Sequence, residues 1–187
     1  MQFPVHTVET APSGSKESLK EITRRYGFIP NLAGVFAESP GAFRALLGGI
    51  NAFDAPEMTL SPLERQVVLV AVSAKNRCEY CTAAHSMLAN MNGLDRAEVE
   101  RLQQGAELGN RRLETIRKFA ETIVERRGRV TEADIDTFLS AGFTKAHVLE
   151  VISGVALKTL TNYVNHIARP PVNEQFAAFL PKWAAPV

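Results

Sequence analysis

Ser61-Pro62-Leu63-Glu64-Arg65-Gln66-Val67-Val68-Leu69-Val70-Ala71-Val72 decides the fold class. Its second half is apolar on nearly every side, and a run of that length suits a buried strand as well as a buried helix. The first half breaks the tie. Serine as N-cap, proline at the first helical position and glutamate at the third form a capping box. Nowhere else does the chain offer a second strand-like segment for the run to pair with. The run is therefore read as a buried helix and the class as all-α.

The flanking punctuation agrees. Residues 1–14 carry Pro4, Pro12 and Gly14 and read as an irregular arm, and Ser15 to Tyr26 reads as a helix stopped by Gly27. Asn31 is the expected cap of a short helix through Ala37, and Ser39-Pro40 opens another that runs to Phe53, where Asp54-Ala55-Pro56 breaks it. After Val72, Asn76-Arg77 makes a turn, and a helix holding both cysteines runs to about Met91. Asp95-Arg96-Ala97-Glu98 is a second expected capping box, leading to Leu102. Asn110 to Arg127 is a charged amphipathic helix with Leu113, Ile116, Phe119, Ala120 and Ile123 on one face. Thr131 and Thr144 start the last two helices, the final one reaching Ile167 before Pro170-Pro171. No internal repeat appears, and residues 15–187 are expected to form a single helical domain.

A length of 187 residues fits one domain with a buried core. A net charge of +1 gives no electrostatic reason to expect nucleic acid. Arg111-Arg112 and Arg126-Arg127 read as solvated helix faces. No apolar run approaches the roughly 20 residues of a membrane span, so no membrane partner is expected. The first residues, Met1 to His6, lack the basic and apolar regions of a signal peptide, which points to the cytoplasm. Thiols are reduced there, and a close cysteine pair is more often catalytic or metal-binding than a structural staple.

The two cysteines of the chain are such a pair, in Cys78-Glu79-Tyr80-Cys81-Thr82-Ala83-Ala84-His85. At about 100° per residue, Cys78, Cys81 and His85 share a helix face about 60° wide. Two sulfurs near enough for a disulfide, with an imidazole within reach to move a proton, make a thiol redox centre. Cys78 falls in the first turn by this reading, where the helix dipole favours a thiolate. Zinc is the rival use, with Cys78, Cys81 and His85 as three ligands and His147 or His166 as a fourth. Against zinc, the chain has no second cysteine pair.

The stretch from Ala71 to His85 resembles the core of the AhpD-like alkylhydroperoxidases, within the carboxymuconolactone decarboxylase superfamily. Gly27-Phe28-Ile29-Pro30-Asn31-Leu32 and Asn162-x-x-Asn165-His166-Ile167-Ala168 resemble its peroxidase-related branch, so the likeness extends over residues 25–180. It implies an AhpD-like helical domain with the cysteine motif at the start of a core helix. It implies thiol-dependent reduction of alkyl hydroperoxides, with Cys81 attacking, Cys78 as its disulfide partner and His85 as the base. Neither cofactor nor metal is expected. The reductant would be an external dithiol, in the best-known members a lipoylated protein. The decarboxylase members lack the cysteine pair, so their activity is not implied. On the attacking thiol, the resemblance (Cys81) and the dipole argument (Cys78) disagree.

Two positions depart from the family pattern. A glutamate of the family's proton relay is replaced by Gln66, which can hold an imidazole but cannot accept a proton. A histidine of the relay is replaced by Tyr80, a poor base near neutral pH. Glu64 is read as the capping-box acid. His166 and Tyr163 could lean into the site but are read as packed structural residues, and His6 and His147 as surface or capping residues. Gln66 also motivates an alternative, a redox-sensing or interaction module with little turnover; a zinc-stabilised domain is the third. Helices over 62–74 and 146–161 look apolar on too many sides for one chain, so a homo-oligomer is expected, as among the relatives.

Overall fold

The structure, a computed structural model, describes residues 3–184. It is all-α. Among the described residues the helices are α1 (Ser13–Tyr26), α2 (Asn31–Phe36), α3 (Pro40–Phe53), α4 (Pro62–Lys75), α5 (Glu79–Met91), α6 (Arg96–Gln103), α7 (Arg111–Arg126), α8 (Glu132–Ser140), α9 (Lys145–Ala168) and α10 (Glu174–Ala177). Met1, Gln2 and residues 185–187, the outer ends of the expected arm and domain, lie outside the described residues. None of the described helices is long and apolar enough to cross a membrane.

The hub is α4. Ser61 Oγ accepts from the Glu64 amide at 3.3 Å while the Glu64 carboxylate accepts from the Ser61 amide at 2.7 Å, the reciprocal capping box. Val67, Val68, Val70, Ala71 and Val72 are wholly buried beneath α5, α7 and α9. A helix apolar all round is stable only when neighbours enclose it, and one chain supplies them here. Residues 62–74 therefore need no second copy to cover them. On α9 the outer face differs: Leu149, Ile152, Leu160, Tyr163 and Ile167 are exposed along it. Its inner face meets α4 at Gly154, where an added Cβ would lie 2.7 Å from Val68 Cγ1 and 2.9 Å from Phe53 Cζ. Only glycine permits that approach.

Several local expectations need correction. Asn31 does not cap α2 but is its first residue; its side chain donates to the Pro171 carbonyl at 2.9 Å and so ties the start of α2 to the chain after α9. Asp95 accepts from the Glu98 amide at 2.9 Å, but the Glu98 carboxylate turns to the Gly109 amide at 2.8 Å, so only half of that box forms. Arg112 is exposed yet engaged, donating to Glu64 at 2.5 Å with its guanidinium 4.1 Å from the Phe143 ring centre. Arg126 pairs with Asp134. The four-residue α10 was not foreseen, since so short a helix carries no periodicity to read. Its Phe176 packs edge-on to Tyr80 at 5.6 Å and beside Phe28 at 5.8 Å.

Candidate active site

Three residues join α4 to α5. Asn76 ends α4, Arg77 turns with φ 57°, and Cys78 caps α5, its amide donating to the Ser73 carbonyl at 2.9 Å. A residue with a Cβ holds a left-handed conformation only where its surroundings fix it. Asn162 of α9 supplies that restraint: its Oδ1 accepts from Asn76 Nδ2 at 2.9 Å, and its Nδ2 donates to Ser73 Oγ at 3.4 Å. The Arg77 guanidinium lies 4.6 Å from the Trp183 ring centre.

Both cysteines are buried thiols, with no disulfide between them. Because α5 begins at Glu79, Cys78 stands ahead of the helix and Cys81 lies within its first turn. The dipole argument made from sequence for Cys78 therefore transfers to Cys81. Asn165 Nδ2 donates to Cys81 Sγ at 3.1 Å, and Thr161 Oγ1 lies 3.7 Å from the same sulfur. Burial alone would raise the Cys81 pKa, but the hydrogen bond from Cys78, the charge of Lys158 and the hydroxyl of Thr161 outweigh it and bring it to about 5. As hydrogen-bond donor to Cys81, and by its own burial, Cys78 is pushed up. These surroundings favour the thiolate at Cys81 and the thiol at Cys78.

One turn on, His85 Nδ1 lies 2.9 Å from Gln66 Oε1 and His85 Nε2 lies 2.6 Å from Lys158 Nζ. Burial, then the charge of Lys158, holds this imidazole well below its ordinary range. It is neutral near neutral pH. The proton arrangement that suits both neighbours puts the hydrogen on Nδ1, donated to the Gln66 carbonyl, and leaves Nε2 to accept from the ammonium.

Lys158 is the site residue that sequence reasoning missed. It is 3% exposed in mid-α9, and no ion pair to a carboxylate involves it among the described residues. The sequence shows only that Lys158, Thr161, Asn162 and Asn165 follow the i, i+3, i+4, i+7 spacing of one polar helix face. A cavity of about 440 Å³ opens onto Cys81, His85, Gln66, Lys158 and Thr161, with Leu46, Ile50, Leu69, Met87 and Leu157 among its apolar walls. Cys78 does not line it.

Of the other candidates, Tyr80 contributes its ring to the cavity, but its hydroxyl donates to Asn173 Oδ1 at 2.6 Å and accepts from the Leu32 amide at 3.3 Å. It acts as a strut between the first turn of α2 and the chain after α9. Glu64 serves its capping box and Arg112. His166 and Tyr163 are exposed, so neither is the packed residue expected. His147 caps α9 with Thr144, at 2.7 Å, and His6 pairs with Glu38 at 2.6 Å. Among the described residues no cluster of His, Cys, Asp or Glu is placed to hold a metal, so the zinc set does not assemble.

Residues 37–122, from the end of α2 into α7, match the carboxymuconolactone decarboxylase family. The whole fold superposes on a peroxidase-related protein with an alkylhydroperoxidase AhpD core from Ralstonia eutropha JMP134, at TM-score 0.85 and 24% identity over 97% of each chain. The chain has the AhpD-like helical fold. A peroxidase-related protein from Silicibacter sp. TM1040 is similar to this AhpD-like domain at TM-score 0.81 and 23% identity, covering 94% of this chain and 92% of the other. The debrominase Bmp8, solved with 2,3,4-tribromopyrrole, shares the AhpD-like fold at TM-score 0.77 and 16% identity, covering 96% and 95%. No curated protein matches the sequence. The fold is thus one that enzymes use, and in this domain the dithiol is its chemically distinctive feature.

Proposed function

We propose that this AhpD-like domain reduces organic hydroperoxides through the Cys81/Cys78 dithiol. The observation that carries the reading is the asymmetry of the pair: Cys81 faces the cavity and takes a hydrogen bond from Asn165, while Cys78 does not line the cavity, and these surroundings favour the thiolate at Cys81 over Cys78. The Cys81 thiolate attacks the terminal oxygen of the hydroperoxide, the O–O bond breaks, and a sulfenic acid forms on Cys81. Asn165 Oδ1, a buried acceptor with no partner among the described residues, belongs to the residue whose Nδ2 already donates to that sulfur, and is placed to accept from the new hydroxyl. Attack by the Cys78 sulfur then expels the hydroxyl as water and closes the disulfide, and an external dithiol reduces it. A cavity of about 440 Å³ with mostly apolar walls is far larger than hydrogen peroxide requires, which supports a hydroperoxide bearing an organic group.

The test is turnover. Reduced protein is mixed with cumene hydroperoxide and excess dithiothreitol or lipoamide, and peroxide loss is followed. Sustained consumption over many equivalents is expected. Consumption that stops at one equivalent would favour the redox-sensing module instead, and thiols that survive excess peroxide would contradict both readings.

A further inference from the structure

Resting on that dithiol reading, we propose that Lys158 is the general acid of the reaction, protonating the organic oxygen that departs as Cys81 attacks. Three observations converge on it. The ammonium is buried without a carboxylate partner among the described residues, in the same cavity as Cys81. Its one side-chain hydrogen bond among the described residues, to His85 Nε2 at 2.6 Å, uses a single N–H, and a lysine ammonium has two more to offer. The chain of acceptors behind it ends in Gln66, which cannot take a proton, so the mobile proton stays on the amine. Gln66 in place of a glutamate then acquires a reason: a carboxylate there would draw a proton onto His85, which could no longer accept from Lys158. His85 and Gln66 are positioning residues in this scheme.

The proton balance closes. The thiolate takes the terminal O–H of the hydroperoxide and becomes Cys81–SOH; the O–O electron pair leaves with the organic oxygen, which takes a proton from Lys158 to become the alcohol. Lys158 is then a neutral amine. The Cys78 thiol condenses with the sulfenic acid, its proton and the S–OH group leaving together as water. The external dithiol finally delivers two electrons and two protons, one proton to Cys78 and one to Lys158, and leaves Cys81 as the thiolate. The cation and the anion of the resting site thus appear and disappear together, so the buried site never holds an unbalanced charge.

The experiment compares two oxidants of opposite leaving-group basicity at one pH. With tert-butyl hydroperoxide the departing group is an alkoxide, which needs an acid; with peracetic acid it is acetate, which does not. The ratio of the two second-order rate constants cancels any change in the Cys81 thiolate fraction. In Lys158→Met, and also in Lys158→Arg, which keeps the charge but cannot release a proton, the ratio is expected to fall on the order of 10²-fold. A ratio unchanged in both variants overturns the proposal, as does a fall in the methionine variant that arginine rescues, since charge alone would then suffice. The wild type gives a reading that needs no variant. Across substituted hydroperoxides its rate should depend weakly on leaving-group basicity, and a steep dependence overturns the proposal. If the wild-type thiols survive both oxidants, the dithiol reading itself fails and this inference with it.

Discussion

Lys158 Nζ lies 2.6 Å from His85 Nε2, and this contact divides the labour of the site. The imidazole is the acceptor in it and is held neutral by burial and by the ammonium it faces. Thiolate formation at Cys81 then follows from its hydrogen-bond donors and a nearby positive charge rather than from proton transfer to His85.

Alkylation of Cys81 by a small reagent such as iodoacetamide reports that charge state. Only the thiolate reacts, so the rate should stay level from neutral pH down to about 5 and fall tenfold per pH unit below it. In Lys158→Met the inflection should move up, toward the roughly 8.5 of an ordinary thiol. A wild-type inflection already near that value would contradict the ion-pair description.

Stability should carry the same signature. Cys81 has a lower pKa folded than unfolded, so its contribution is complete above about 8.5 and is lost as pH falls through about 5. The depressed His85 adds a loss in the same direction below about 6.5, where the unfolded imidazole takes up a proton and the folded one does not. Near about 8.5 the raised Cys78 has the opposite effect and offsets Cys81. Urea midpoints of the wild type should therefore fall from about pH 7.5 to about 6.5, where both unfolded thiols are protonated and Cys81 dominates, and those of Cys81→Ser should not. Parallel curves would refute the assignment.

The His85 tautomer can be read by nitrogen NMR of labelled protein. At pH 6 the ring should be neutral, with its proton on Nδ1. Gln66→Glu should convert it to the imidazolium, since a carboxylate 3 Å or so away favours the charged form. Gln66→Leu leaves the Nδ1 proton unpaired and should cost about 1–3 kcal/mol of stability. A wild-type ring that titrates near about 6.5 would contradict the assignment.

Two substitutions separate scaffold from chemistry. Gly154→Ala pushes a methyl into Val68 and Phe53 and should destabilise by about 1–3 kcal/mol. Tyr80→Phe removes the strut to Asn173 and Leu32 and should cost about 1–2 kcal/mol, while the Cys81 alkylation inflection stays near about 5. If that inflection moved instead, the Tyr80 hydroxyl would belong to the proton path.

The helices were legible because their signals are local. Ser61, Thr131 and Thr144 each complete a capping box in the structure, and the apolar face read for residues 110–127 is the face that α7 buries. Cys81 and His85 were legible as one helix face, although Cys78, read as part of it, stands just ahead of the helix; Gln66 was legible as the partner of an imidazole. Lys158 was not legible as a site residue, because its place depends on how α9 packs over α4 and α5, and a lysine in a long helix is normally solvated. Tyr80 was read as a member of the relay by its position between the cysteines. What decides its role is Asn173, 93 residues away, a contact that no local pattern encodes.

The most direct measurement is sulfenic acid trapping with dimedone, read by mass spectrometry, in Cys78→Ser and Cys81→Ser after one equivalent of cumene hydroperoxide. A dimedone adduct on Cys81 is expected in Cys78→Ser, and no adduct in Cys81→Ser. An adduct on Cys78 alone, or two unmodified variants, would contradict a Cys81-led dithiol peroxidase.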